Sequence, residues 1–263
     1  MKDRIRQIVV VLTILVTLIV NGLANSLPLN GLTTGDISDR FEVYFVPAGY
    51  VFSIWGLIYI GLIAFAIFQA LPSQRDNPRL RATGWWIALG GVANSVWIFL
   101  WHYERFPLTL LAMLVLLATL IITYLRLGIG RTKVSTAEAW AVRVPFSIYL
   151  GWITVATAAN VTSLLDYLNW GGFGIAPEIW MGIVLLAVLV IATFPVQSYQ
   201  PGLLLRRAVF DRTGGELFRV VQSVFIRVPE FWRFYYANPY RSETTRPIYH
   251  PLLARVRRRR ASG

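Results

Sequence analysis

Cysteine is absent from the chain, histidine occurs only at His102 and His250, and lysine only at Lys2 and Lys133. The first absence excludes disulfides, thiolate metal sites and thiol nucleophiles. Two histidines leave almost no material for a histidine-rich metal centre or a Ser-His-Asp triad. With neither lysine in an apolar run, a retinal Schiff base is excluded as well. Charge is scarce too: 14% of the 263 residues are charged against 56% hydrophobic, with a mean hydropathy of +0.56. A globular protein carries roughly a quarter charged residues, and here the few charges sit in short patches between long uncharged runs. That pattern is an integral membrane protein's. No Gly-rich phosphate loop, HExxH or GxSxG motif occurs, so hydrolytic and phosphoryl-transfer chemistry are not expected, and the chain is read as a non-enzyme.

A helix needs about 20 mostly apolar residues to cross a bilayer. Six runs reach or approach that length: residues 8–28, 50–71, 85–102, 108–126, 144–164 and 178–196. The first, preceded by Lys2, Arg4 and Arg6, also has the form of a cleavable signal peptide; it is read as a retained span because the topology needs it. Basic residues in short loops favour the cytoplasm. They occur at the N-terminus, in loop 72–84 (Arg75, Arg79, Arg81), in loop 127–143 (Arg131, Lys133, Arg143) and in the tail. The intervening loops hold only Arg40 and Arg105, and loop 165–178 has none. The alternation places both termini in the cytoplasm. Trp85, Trp86, Trp101, Tyr103, Trp140, Trp170 and Trp180 fall at span ends and are read as an interfacial aromatic belt.

The spans hold no Lys, Arg, Asp, Glu or His at mid-depth. Such groups mark proton relays and ion pathways, so an ion-coupled transporter or pump is not expected. What the spans do hold is a set of aromatic and amide stripes. Phe52, Trp55 and Tyr59 lie on the second span. Asn94 and Trp97 stand three apart on the third. Tyr149, Trp152, Ala156 and Asn160 follow at i, i+3, i+7 and i+11 on the fifth, with Ala156 leaving a hollow between its larger neighbours. Buried Trp, Tyr and Asn need polar partners that lipid tails lack, so these faces point into the bundle. Each stripe alone is ordinary helix packing. Three together suit a cavity for a flat apolar molecule, since ligand pockets are mostly apolar with a few converging polar groups.

At these residues the chain resembles the TspO/MBR family, the tryptophan-rich sensory proteins related to the translocator protein. "PAGYVFSIWGLIY" (47–59) is similar to the family's entry into its second helix, "NSVW" (94–97) to the Asn-x-x-Trp of the third, and "YLGWITVATAAN" (149–160) to the motif of the fifth. The resemblance covers roughly residues 5–165. Tyr50 stands where the family has Trp, the Phe52-to-Trp55 interval is one residue shorter, and Ile148 replaces a Pro, with Pro145 a turn earlier. The resemblance implies an all-α membrane protein: a TspO-like five-helix bundle over residues 1–165, extended by a sixth span (166–197) and a basic tail (198–263), a longer bacterial-type member. It further implies a cavity under loop 29–49 that binds a porphyrin, haem or related tetrapyrrole, a sterol or a synthetic apolar ligand, with no obligatory cofactor; the porphyrin-degrading activity proposed for some members is not extended here, where Tyr50 replaces one of their tryptophans. Tyr50, Phe52, Trp55, Tyr59, Asn94, Trp97, Tyr149, Trp152, Ala156 and Asn160 are the candidate ligand-binding residues.

The tail carries thirteen arginines against four acids over residues 197–263. Leu217, Val220, Val221, Val224 and Phe225 form an amphipathic stripe suited to the anionic inner leaflet. Lipid bilayer and a hydrophobic small molecule are the expected partners, nucleic acid is not, and a homodimer is left open. The function expected is a membrane receptor or carrier for a flat apolar ligand in sensing or homeostasis. A small-solute permease or export component using the same bundle, and a scaffold whose tail recruits a partner, are the alternatives.

Overall fold

The computed structural model describes residues 2–27, 29–41, 43, 52–176, 179, 180, 182, 183 and 186. Among them every regular element is helical: α1 (Lys2–Ser26), α2 (Thr34–Ser38), α3 (Ile54–Ala70), α4 (Pro78–His102), α5 (Phe106–Arg126), α6 (Thr136–Glu138) and α7 (Val144–Tyr167), with α6 and α7 joined by a π-helical turn, Ala139–Arg143. α1, α4, α5 and the 32-residue run Thr136–Tyr167 are long and apolar enough to span a membrane, and α3 is a shorter apolar helix of 17 residues. The first five expected spans therefore form as helices. The sixth span, the tail and Tyr50 lie outside the described residues, apart from a few helical positions near Trp180.

The five long helices close into a ring in the order α1, α4, α5, α7, α3, each packed against its two neighbours. Sequence chemistry explains where they approach. On α4, a Cβ at Gly84 would lie 2.8 Å from the Arg6 side chain, one at Gly91 2.6 Å from Thr13, and one at Gly90 2.8 Å from Thr119 Oγ1. Bare glycine backbone thus seats α4 against α1 on one side and α5 on the other, the small-residue packing that membrane helices use. Gly61 does the same for α3, where a Cβ would meet Pro145 of α7 at 2.9 Å. Pro145 supplies no N–H, and the turn just before it widens, with Val144 N–H bonding Ala139 O five residues back.

Outward faces are apolar and exposed, such as Ile8, Leu12 and Ile19 on α1 and Ile60 and Ile67 on α3. Polar groups collect at the two ends of the ring. One end holds Arg4, Arg6, Arg75, Arg79, Arg81, Arg126, Arg131 and Arg143. There Arg79 grips Glu138 through two bonds of 2.7 and 2.8 Å, Arg81 grips Asp3 at 2.7 and 2.8 Å, and Gln7 Nε2 donates to Gln69 O at 2.6 Å. The opposite end has Asp36, Asp39, Glu104 and Asp166 against Arg40 and Arg105. Over the described residues the membrane protein is a five-helix all-α bundle with one strongly basic end.

Candidate ligand-binding site

Starting from the basic end, the interior of the ring holds a cavity of about 20 Å³, lined by Thr17, Leu62, Trp86, Gly90, Gly91, Thr123, Phe146 and Tyr149 among others. That is room for about one water. One turn further along α4 the interior is bridged. Asn21 Nδ2 of α1 donates to Asn94 Oδ1 at 2.6 Å, and Asn94 Nδ2 donates to Tyr149 Oη of α7 at 3.0 Å. Asn94 is fully buried and Asn21 and Tyr149 nearly so. The chain of three side chains crosses the ring and forms a polar floor.

Beyond the floor the interior is aromatic. Trp55 of α3 stacks on Tyr59 at 5.7 Å and meets both Tyr149 and Trp152 of α7 edge-on at 6.1 Å. Phe52 meets Trp152 edge-on at 6.0 Å. These are the offset and T-shaped geometries that ring quadrupoles favour. The shortened Phe52-to-Trp55 spacing does not take Trp55 away from the site: Phe52 lies in a short 3-10 lead-in rather than in α3 proper, and both rings reach Trp152. On the facing wall Trp97 stacks on Trp101 at 5.4 Å with 19° between the planes. Ala156 is half-buried between Trp152 and Asn160, and Asn160 Oδ1 accepts from Thr109 of α5 at 3.2 Å.

The structure thus gathers Phe52, Trp55, Tyr59, Tyr149 and Trp152 into one cluster, with Asn94 in the floor below, Asn160 bonded to α5 and Trp97 paired with Trp101. Tyr50 lies outside the described residues. Two participants were not among the candidates. Asn21 lies in the first span, and its amide reaches the floor. Trp101 was expected in the interfacial belt and is instead buried, 4% exposed, because it follows Trp97 by four residues on the inward face. Its Nε1 donates to Thr34 O at 3.2 Å, and its ring packs on Phe41 and Phe106. Trp85, Tyr103 and Trp140 are exposed, as a belt requires.

The segment between α1 and α3 is fastened at this end. Asn30 Nδ2 donates to His102 O at 3.1 Å, Arg40 pairs with Glu104 at 2.6 Å, and α2 opens with a reciprocal cap in which Thr33 and Asp36 bond each other's backbone and side chain. The Thr33 bonds to the Asp36 carboxylate hold its pKa below the usual carboxylate value. Tyr59 Oη, Trp97 Nε1, Trp152 Nε1 and Asn160 Nδ2 are buried without a hydrogen-bond partner, as are Asn21 Oδ1, Thr34 Oγ1, His102 Nε2 and Thr123 Oγ1 in the bundle.

A family model described as TSPO-like protein matches residues 7–204. The chain belongs to the TSPO-like protein family. The match runs past residue 165, where the motifs of this TSPO-like chain end, into the region expected to hold its sixth span. Comparison with curated proteins and with solved structures gave no significant match. Family membership and the ring of apolar helices together make it a TspO-type integral membrane protein in contact with lipid.

Proposed function

We propose that this TSPO-like protein is a membrane receptor or carrier that binds a flat, apolar molecule of the tetrapyrrole kind, porphyrin or haem, between α3, α4 and α7. The observation that carries the reading is the convergence of Trp55, Tyr59 and Trp152 over a polar floor, with Trp97 and Trp101 on the facing wall. Flat aromatic walls with few polar groups are what a planar ligand needs. In the present state the rings pack on one another, so binding separates them, and Ala156 gives the smallest side chain on the α7 wall. The role is binding, without turnover.

The Asn21–Asn94–Tyr149 chain supports this reading over a permease, because a solute crossing end to end would have to break it. The basic end faces the cytoplasm, as the positive-inside rule requires, which puts the aromatic site toward the outer leaflet of a bacterial inner membrane with both termini cytoplasmic.

The test is titration of the full chain in detergent with protoporphyrin IX, following tryptophan quenching and the Soret band. The expected result is saturable micromolar binding, weakened at least tenfold by Ala156→Leu, which fills the hollow. Absence of binding together with solute uptake in proteoliposomes overturns the proposal in favour of the permease.

A further inference from the structure

The buried polar atoms left without partners around the aromatic cluster share a sign. Trp97 Nε1 and Trp152 Nε1 are donors only, and Asn160 Nδ2 is the donor end of an amide whose acceptor end is taken by Thr109. Tyr59 Oη adds a hydroxyl that can donate. Trp97, Trp152 and Asn160 are 7%, 4% and 4% exposed, so water does not reach them freely, and a buried unpaired donor is costly. They come from α3, α4 and α7, the walls of the proposed site. Of the other unpartnered atoms, Thr123 Oγ1 lines the small cavity nearer the basic end, and Thr34 Oγ1, on α2 beside Trp101, is a hydroxyl that can donate or accept. Asn21 Oδ1 is at floor level on α1. His102 Nε2 is on the helical line of Gly84, eighteen residues and five turns earlier, which faces α1.

The same walls carry no cation. No Lys or Arg lies in residues 44–65, 87–104 or 144–167. His102 Nδ1 stands 2.8 Å from the Ile98 carbonyl, which can only accept, so that nitrogen donates to it. At the rim, Arg40 is already paired with Glu104, Arg105 is exposed, and Asp36 and Asp39 make the neighbourhood acidic. A carboxylate carried into such a site would be desolvated without a counter-charge.

We propose that the site selects a flat ligand that is uncharged and bears hydrogen-bond acceptors, carbonyl or ester oxygens, rather than free carboxylates. The proposal rests on the binding function argued above and specifies the chemical class bound there. Trp152 and Trp97 donate to the acceptors, and Asn160 sets how far along α7 they sit.

The test compares three porphyrins on the full chain in lipid nanodiscs: protoporphyrin IX, its dimethyl ester, and octaethylporphyrin, which has the ring and alkyl groups without carbonyls. A second pair, fluorenone and fluorene, asks the same question without a tetrapyrrole. The dimethyl ester is expected to bind about tenfold more tightly than octaethylporphyrin, the gain that a met donor gives over an unmet one, and no more weakly than the free acid. Trp152→Phe puts a phenyl ring without an N–H in place of the indole and should collapse the ester's advantage over octaethylporphyrin, whatever it does to the affinity the two share. Equal binding of ester and alkyl porphyrin overturns the proposal. So does tenfold tighter binding of the free acid that Arg105→Ala abolishes, which would place a carboxylate on a rim cation. If no porphyrin binds but fluorenone outbinds fluorene through Trp152, the tetrapyrrole reading falls and the acceptor rule stands. If neither set discriminates, both fall.

Discussion

Asn94 donates to the hydroxyl of Tyr149 across the interior of the ring, joining two helices that are not neighbours in it, at 3.0 Å. Both side chains are buried, so neither has water as a substitute partner. Tyr149→Phe is therefore expected to lower stability by about 1–2 kcal/mol, the range for interhelical hydrogen bonds in membranes. Asn94→Leu should cost more, since it also breaks the Asn21 bond and leaves Asn21 Nδ2 with Thr17 O alone. A double-mutant cycle on thermal midpoints in detergent should return a coupling of about 1 kcal/mol, and additive losses would show that the floor contributes nothing.

The glycine seats on α4 make a sharper steric prediction. Gly91→Ala drives a methyl group toward Thr13 and Thr17 and should destabilise the bundle by about 1–3 kcal/mol through overpacking. A Cβ at Gly56 on α3 would meet no atom within 4 Å, so Gly56→Ala should be neutral or stabilising by up to about 1 kcal/mol. Thermal unfolding of the two variants side by side checks the pair; equal losses would contradict the packing.

At the basic end, Arg79 clamps Glu138, whose side chain is 8% exposed, while Arg79 itself is about one-third exposed at 32%. Arg79→Met leaves a nearly buried carboxylate alone and should cost about 1–3 kcal/mol. Adding Glu138→Gln removes the stranded charge and should recover part of that loss. A double variant as unstable as the sum of both singles would rule the clamp out.

The Thr33–Asp36 cap gives a pH signature. Because the folded Asp36 pKa lies below its unfolded value of about 3.9, the cap's contribution is complete above that value and is lost as pH falls through the lower folded pKa. Hydrogen exchange at the Asp36 amide should accelerate below about pH 4, and Asp36→Asn should remove the transition. A rate that follows only the intrinsic chemistry of exchange would show the cap is not formed.

How much of this was legible beforehand depends on the range of the interaction. The stripes on α3, α4 and α7 could be read because side chains three, four and seven apart share a helix face whatever the partner, and Trp55, Asn94 and Trp152 lie inward accordingly. Trp101 escaped although it follows Trp97 by one turn on the same face, because its place at the end of an apolar run suits a headgroup anchor equally well; the partner that takes its N–H, Thr34, lies 67 residues away. Asn21 escaped for a like reason, since its partner lies 73 residues on. The Arg79–Glu138 clamp and the closing of α3 onto α7 through Gly61 and Pro145 likewise require the tertiary arrangement. Charge patterning foretold that basic residues would gather at one end, but not which acids would meet them.

Trp97 and Trp101 are nearly parallel indoles at 5.4 Å, and Trp55 and Trp152 are crossed at 6.1 Å. Chromophores held so close and at fixed angles share their electronic excitation, so the sign and size of their near-ultraviolet circular dichroism depend on how the rings are posed. The protein thereby carries its own optical gauge: any event that parts the two pairs rewrites that spectrum before a helix has unwound, without an added label.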